Sequence, residues 1–252
     1  MNPRFVTAVL ILVAWRTALF AVSPLVVDDA DTTEAGQLQL NADFQFTRTG
    51  SDSLYFTPIN QVVGLSPSAE LGVIFGYQWR DGSGSTLTTA DADGVIDLVI
   101  QPKWRIWGGP DDKLKFGARL DLKLPTAPEK RGLGTGDTDA GLIGIATYRL
   151  GKTNFDWNLG YHTIDVSRAH SRDDRWFIGQ AVRHEVNKFC TIVAETYALL
   201  PNTGTGGHSQ FFFSGGAQWN VSENMVFSAL IGSAAGHKSP DLTGTLELAF
   251  AF

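Results

Sequence analysis

Between positions 37 and 46 polarity alternates without interruption. Gln37, Gln39, Asn41, Asp43 and Gln45 are polar, and Leu38, Leu40, Ala42, Phe44 and Phe46 between them are apolar. A period of two is the signature of a β-strand with one apolar face and one wet face. The pattern then recurs to the end of the chain. Residues 53–64 predict a weaker strand, interrupted by Pro58. Stretches at 70–79, 94–106, 113–124, 154–163, 175–184, 189–199, 210–219, 225–233 and 242–252 follow, with one at 139–149 whose phase is ambiguous. In the stretch at 113–124 the odd positions Lys115, Arg119, Asp121 and Lys123 oppose Leu114, Phe116, Leu120 and Leu122. The set amounts to about twelve strands.

The connections are sorted by length. Residues 66–69, 108–112, 150–153, 185–188 and 221–224 are short, and between them lie the longer polar stretches 81–93, 125–137, 165–174, 201–208 and 234–241. Only residues 47–52 break the rule, being short where a long connection is due. Bacterial outer-membrane barrels place short turns on the periplasmic side and longer loops outside, whereas a soluble sandwich has no reason to sort them. The fold class predicted is therefore all-β, a transmembrane antiparallel up-and-down barrel with both termini periplasmic. Tyr77, Trp79 and Tyr161 would form an outer aromatic belt, and Trp104, Tyr148, Phe155, Trp219 and Phe252 an inner one.

The first residues read differently. Arg4, the apolar run Phe5–Trp15 and the small residues Ala18, Ala21 and Ser23 predict a cleaved signal peptide over 1–23, hence export to the bacterial outer membrane. Cleavage would remove Arg4 and Arg16 and no acid, making the mature chain more acidic than the full chain's net −6. Residues 24–36 read as a flexible lead and 37–252 as the barrel. The mean hydropathy of −0.03 leaves no helical membrane protein, but suits strands that average apolar with polar. One cysteine, Cys190, excludes an intramolecular disulfide, and the acidic balance argues against nucleic acid.

Thr33-Glu34 before Gln37-Leu38-Gln39-Leu40, Pro102-Lys103-Trp104-Arg105-Ile106 and Asn158-Leu159-Gly160-Tyr161 resemble stretches of one family of outer-membrane barrels, that of the MetA pathway of phenol degradation. The first is similar to its entry strand, and the second to its Lys-aromatic-Arg strand. Leu124-Pro125-Thr126 with Thr135-Gly136-Asp137 resembles its Pro-Thr-Gly loop, although Ala127-Pro128-Glu129 replaces the glycine. Asn158-Leu159-Gly160-Tyr161 completes the likeness. The resemblance implies passage of aromatic compounds; none of its motifs is catalytic.

Chemistry can concentrate only in the lumen. Alternation turns Lys103, Arg105, Lys115, Arg119, Lys123 and Arg183 inward, together with Asp43, Asp97, Asp121, Glu195 and Glu247. Pairing across the 108–112 turn sets Asp97 against Lys123 and Gln101 against Arg119, and the cations outnumber the acids by one. Two readings stand: a charged lining that selects permeants, favouring anions or polarizable neutrals slightly, or ion pairs that fill a narrow barrel. The sequence offers no cofactor motif. Gly204-Thr205-Gly206-Gly207 lacks the lysine and helix of a phosphate loop, and His170 with Asp173-Asp174 reads as solvated rather than metal-binding. A lipid hydrolase would need a serine beside a histidine base, and adjacent His208-Ser209 would point to opposite strand faces. The partners expected are outer-membrane lipid, a small permeant, and the barrel-insertion machinery through the last strand ending at Phe252.

Overall fold

The computed structural model describes residues 25–81, 93–131, 133–166, 171–202, 208–236 and 239–252. Twelve long strands follow one another: β1 (Leu38–Thr49), β2 (Asp52–Ser66), β3 (Ala69–Asp81), β4 (Leu98–Trp107), β5 (Leu114–Leu124), β6 (Asp139–Leu150), β7 (Thr153–Thr163), β8 (Arg175–Asn187), β9 (Cys190–Pro201), β10 (Gln210–Ser222), β11 (Met225–Gly236) and β12 (Leu242–Ala251). Each pairs antiparallel with its sequence neighbours, and β1 pairs with β12 from Gln39↔Ala251 to Arg48↔Leu242. The sheet is closed, so no wall strand is a free edge along its length among the described residues, which is what a strand structure in lipid requires. The seam is finished by reciprocal hydrogen bonds between Leu38 and Phe252, at 3.2 and 2.8 Å.

Both ends of the barrel wall lie with the short turns. Register shifts occur at Gly64/Ser66, Arg105/Trp107, Glu185/Asn187 and Asn220/Ser222, all beside those turns. Bulges at a barrel rim let each strand bend into its turn. Gly151 takes φ +61° in the two-residue turn to β7 with nothing within 4 Å of a would-be Cβ, so backbone conformation alone selects glycine there.

The outer wall is apolar. Ile106, Leu142, Leu159, Phe213 and Ile231 are 69, 60, 56, 54 and 63 % exposed, an array that would be a liability in water and is at home in lipid. The belts form as expected at two heights. Tyr55 and Trp79 stack at 5.3 Å and Tyr161 meets Trp176 edge-on at 5.0 Å, while Trp104, Tyr148, Trp219 and Phe252 lie exposed toward the short turns.

Two features departed from simple alternation for physical reasons. Pro58 sits mid-β2, opposite Gly76, where a Cβ would come within 2.6 Å of the Thr57 carbonyl. The bare glycine admits the close approach that the proline imposes. In β6 the phase was illegible because both faces are apolar: Leu142 and Tyr148 face out, and Ile143 and Ile145 are buried inside.

What they are buried against is the N-terminal segment. Residues 25–36, expected as a flexible lead, run inside the barrel. Leu25, Val27 and Ala30 form one core with Ile143, Ile145, Phe177, Ala181, Val193 and Leu230. We call this segment the strap.

Candidate functional site in the barrel lumen

The strap is acidic and the wall it crosses is basic. Asp28 accepts from Lys103 Nζ at 3.0 Å and from Arg119 Nη1 at 2.8 Å. Asp29 meets Arg183 Nη1 at 2.6 Å, and Asp31 meets Lys115 Nζ at 2.5 Å with Arg105 at 3.6 Å. The strap backbone is held as well. The amides of Val27, Ala30 and Thr33 donate to Glu195 (3.0 Å), Thr147 (2.9 Å) and Glu70 (2.5 Å), and Asn158 exchanges two 2.8 Å bonds with Asp28. Five inward cations come from β4, β5 and β8 because odd positions of those strands share the inner face. Three wall carboxylates accompany them: Glu70 on Lys103 (3.3 Å), Asp121 on Arg119 (2.8 Å) and Asp156 on Arg183 (2.9 Å). Without the strap the arc carries five cations against three carboxylates; with the strap's three it carries six carboxylates for five cations.

A second arc adjoins the first. His162 stacks on Phe177 at 6.4 Å, Phe177 lies 5.8 Å from Tyr197, and Tyr197 stacks on Phe212 at 4.5 Å. These rings step across β7, β8, β9 and β10 on the inner face, and Leu25 and Val27 share a core with Phe177, against which Tyr197 packs.

Beside the strap remains a cavity of about 1000 Å³. Its walls include Pro110, Lys152 and Lys188 of the short turns, and Gln39, Asn41, Asn60, Gln101 and Gln218 deeper in.

All eleven residues singled out from sequence face the interior, but in different surroundings. Lys103, Arg105, Lys115, Arg119 and Arg183 border both strap and cavity. Asp43 and Glu247 stand opposite each other across the β1–β12 seam, Gln45 donating to Asp43 and Ser228 to Glu247, and both acids line the cavity. Glu195 holds the strap and Ser214. Asp121 ties Arg119 to Gln101 (2.8 Å). Asp97 and Lys123 pair at 3.1 Å, away from the cavity, where Ala127 and Leu133 of the following connection are buried. Asp97 accepts the Ala127 amide at 2.8 Å, and Lys123 also meets Asp139 at 2.5 Å.

Both register expectations are corrected. Lys103, not Gln101, stands opposite Arg119, and Val99, not Asp97, stands opposite Lys123, since the Arg105/Trp107 bulge and the turn beyond it slide the pairing by two residues; the Asp97–Lys123 pair forms through the side chains. An even slip keeps every side chain on its face, so the inward set survives. Sequence reasoning missed Glu70 and Asp156, although both occupy inward parity in their strands. It missed the strap acids because a segment without periodicity carries no sign of where it docks. His170 and Gly204–Gly207 lie outside the described residues; among those described, no three potential ligands gather to hold a metal.

A closed antiparallel barrel with a lipid-compatible outside and a charged, partly filled lumen defines a transmembrane β-barrel of the outer-membrane type. The chain belongs to the MetA-pathway of phenol degradation family, whose model matches residues 27–252. That span begins in the strap, so the strap is part of the family pattern rather than an appendage. Among solved structures it is similar to the COG4313 outer membrane channel from Pseudomonas putida F1, at 17% identity and TM-score 0.73, covering 92% of this chain and 100% of that one. It is also similar to the KdgM porin in complex with disordered oligogalacturonate (7%, 0.57, 84% and 99%) and to the β domain of the Bordetella autotransporter BrkA (11%, 0.55, 86% and 99%). No curated protein matches it by sequence.

Proposed function

We propose that the protein is a passive conduit in the bacterial outer membrane for small hydrophobic or aromatic molecules. The observation that carries this reading is the cavity of about 1000 Å³ inside a closed barrel, reaching the short-turn rim and lined largely by polar side chains. A barrel that served only as a scaffold would gain stability by filling that volume. The family's link to phenol degradation and the likeness in fold to an outer membrane channel support the choice of permeant and place. Residues 1–23 act as the cleaved export signal, and the closing strand β12, ending at Phe252, engages the insertion machinery before the apolar wall meets lipid. Transport runs down a gradient. The protein is not an enzyme on this reading: its inner charges are engaged with one another, and the His184–Thr153 contact at 2.9 Å lies at the exposed short-turn rim.

The test is uptake by liposomes with and without the protein, comparing benzoate, phenol and a sugar of similar size. Faster entry of the aromatic pair than of the sugar is expected. Equal permeability with and without protein overturns the reading.

A further inference from the structure

One short piece of the strap changes character abruptly, and the wall beneath it changes with it. Val27 lies over Gly179: a Cβ there would meet the Val27 γ-methyl at 2.6 Å, with the Phe177 ring at 3.1 Å and Tyr197 Cβ at 3.3 Å. The absent side chain at 179 makes the slot, and two rings flank it. The very next residues are Asp28, shared by Lys103 and Arg119, and Asp29, on Arg183. Apolar contact and carboxylate contact are thus adjacent on the strap, and on the wall Gly179 and Arg183 share the inner face of β8, four residues apart.

We propose that this wall is a binding site for small hydrophobic carboxylates, an aromatic ring or short alkyl group bearing one carboxylate, and that Val27–Asp29 occupies it as an internal stand-in. The proposal rests on the conduit reading and names the permeant class. Charge decides between candidates. Lys103, Arg119 and Arg183 are nearly buried and keep one wall carboxylate each, so lifting the strap away without replacement takes from each a second buried carboxylate, which is unfavourable. A neutral ring such as phenol could fill the Gly179 slot but could not release the aspartates. A carboxylate restores one of the two negative charges that leave with Asp28 and Asp29, and its place is on Arg183 Nη1, since Nε and Nη2 stay on Asp156. Acetate brings the charge and leaves the slot empty. Only a ligand with both parts replaces both halves of the strap contact, so ligand binding and strap docking compete.

The experiment is calorimetric titration of the purified protein in detergent with benzoate, benzyl alcohol and acetate. Wild type is compared with the double variant Asp28→Asn/Asp29→Asn, and with that variant carrying Arg183→Gln. Weakening the strap is expected to tighten benzoate about tenfold or more, to change benzyl alcohol and acetate little, and Arg183→Gln is expected to abolish the gain. A second measurement does not depend on those variants folding: thiol labelling of Val27→Cys in a Cys190→Ser background should accelerate with benzoate and not with benzyl alcohol. Unchanged benzoate affinity in the folded double variant, equal gains for benzyl alcohol, or labelling indifferent to benzoate would each overturn the proposal. Potassium chloride conductance of the same preparations separates the two ideas. Conductance without competition removes this site alone; absence of conductance removes the conduit, whatever the titration gives.

Discussion

Arg183→Gln, taken through a double-variant cycle with Asp29→Asn, measures how firmly the strap is anchored. Arg183 joins the strap to the wall: Nη1 lies 2.6 Å from Asp29 and Nη2 lies 2.9 Å from Asp156. The side chains are only 9, 2 and 1 % exposed, so water cannot take over for a lost partner. Breaking a buried pair by removing one side costs about 3–5 kcal/mol. Asp29 keeps Lys103 at 4.0 Å and Asp156 keeps the Thr147 hydroxyl at 2.7 Å, which places Arg183→Gln near about 3 kcal/mol, the lower end. Asp29→Asn leaves Arg183 on Asp156 and should cost about 1–2 kcal/mol. Once one member is gone the other has less to lose, so the double variant should be more stable than the sum by about 2 kcal/mol. Urea unfolding in micelles, followed by tryptophan fluorescence and by the heat-dependent shift on SDS gels, reads all four corners. Arg183→Lys should recover part of the loss, since it restores charge without the fork. Additivity within about 0.5 kcal/mol would refute an anchored strap.

The same logic applied at the other rim predicts that Asp97→Asn destabilises less in a Lys123→Met background than in wild type, measured by the same unfolding curves. Coupling there should be weaker than at Arg183, because Lys123 is 21 % exposed and retains Asp139. Gly179→Leu should push Val27 out of its slot and expose the strap to proteolysis while the barrel band on SDS gels persists; a protected strap would show that the slot does not seat it. Outside the membrane, the Tyr77 hydroxyl donates to Asp93 at 2.7 Å and, with Arg131, holds that carboxyl below the usual range. Because its folded pKa is depressed, the hold is present above the ordinary carboxylate pKa and fades as pH falls through the lowered one. Tyr77→Phe should raise the Asp93 pKa, read by NMR, and no rise would remove Tyr77 as the cause.

How much was legible follows from what each segment must satisfy. A strand in this wall answers to lipid on one side and to the lumen on the other, so Leu38 to Phe46 and Leu114 to Leu124 announce face and parity directly. That parity placed all eleven charged candidates inside and sorted the turns, which together specify the barrel. The strand at 139–149 was illegible because its inner face meets not water but Val27 and Ala30, and so carries isoleucines on that side too. The strap itself has no period. Asp28-Asp29-Ala30-Asp31 reads as a solvated run until five cations, from three strands distant in sequence, are seen to converge on it. Counting inward charges along the strands left out Glu70 and Asp156, which parity does turn inward, and could not reach Asp28, Asp29 and Asp31, which lie outside the strands. The register slip at Arg105/Trp107 likewise needed the bulge, which no local pattern signals.

The central claim is that a lumen open to small solutes runs beside a strap docked on the basic arc. Single-channel recording of the protein in planar bilayers, beside a variant lacking residues 25–35, tests it most directly. The account predicts discrete ohmic steps for the wild type and larger steps for the shortened protein, with anion selectivity increasing as Lys103, Arg119 and Arg183 lose their strap carboxylates. A silent bilayer for both proteins, with each migrating as a folded barrel, would contradict it.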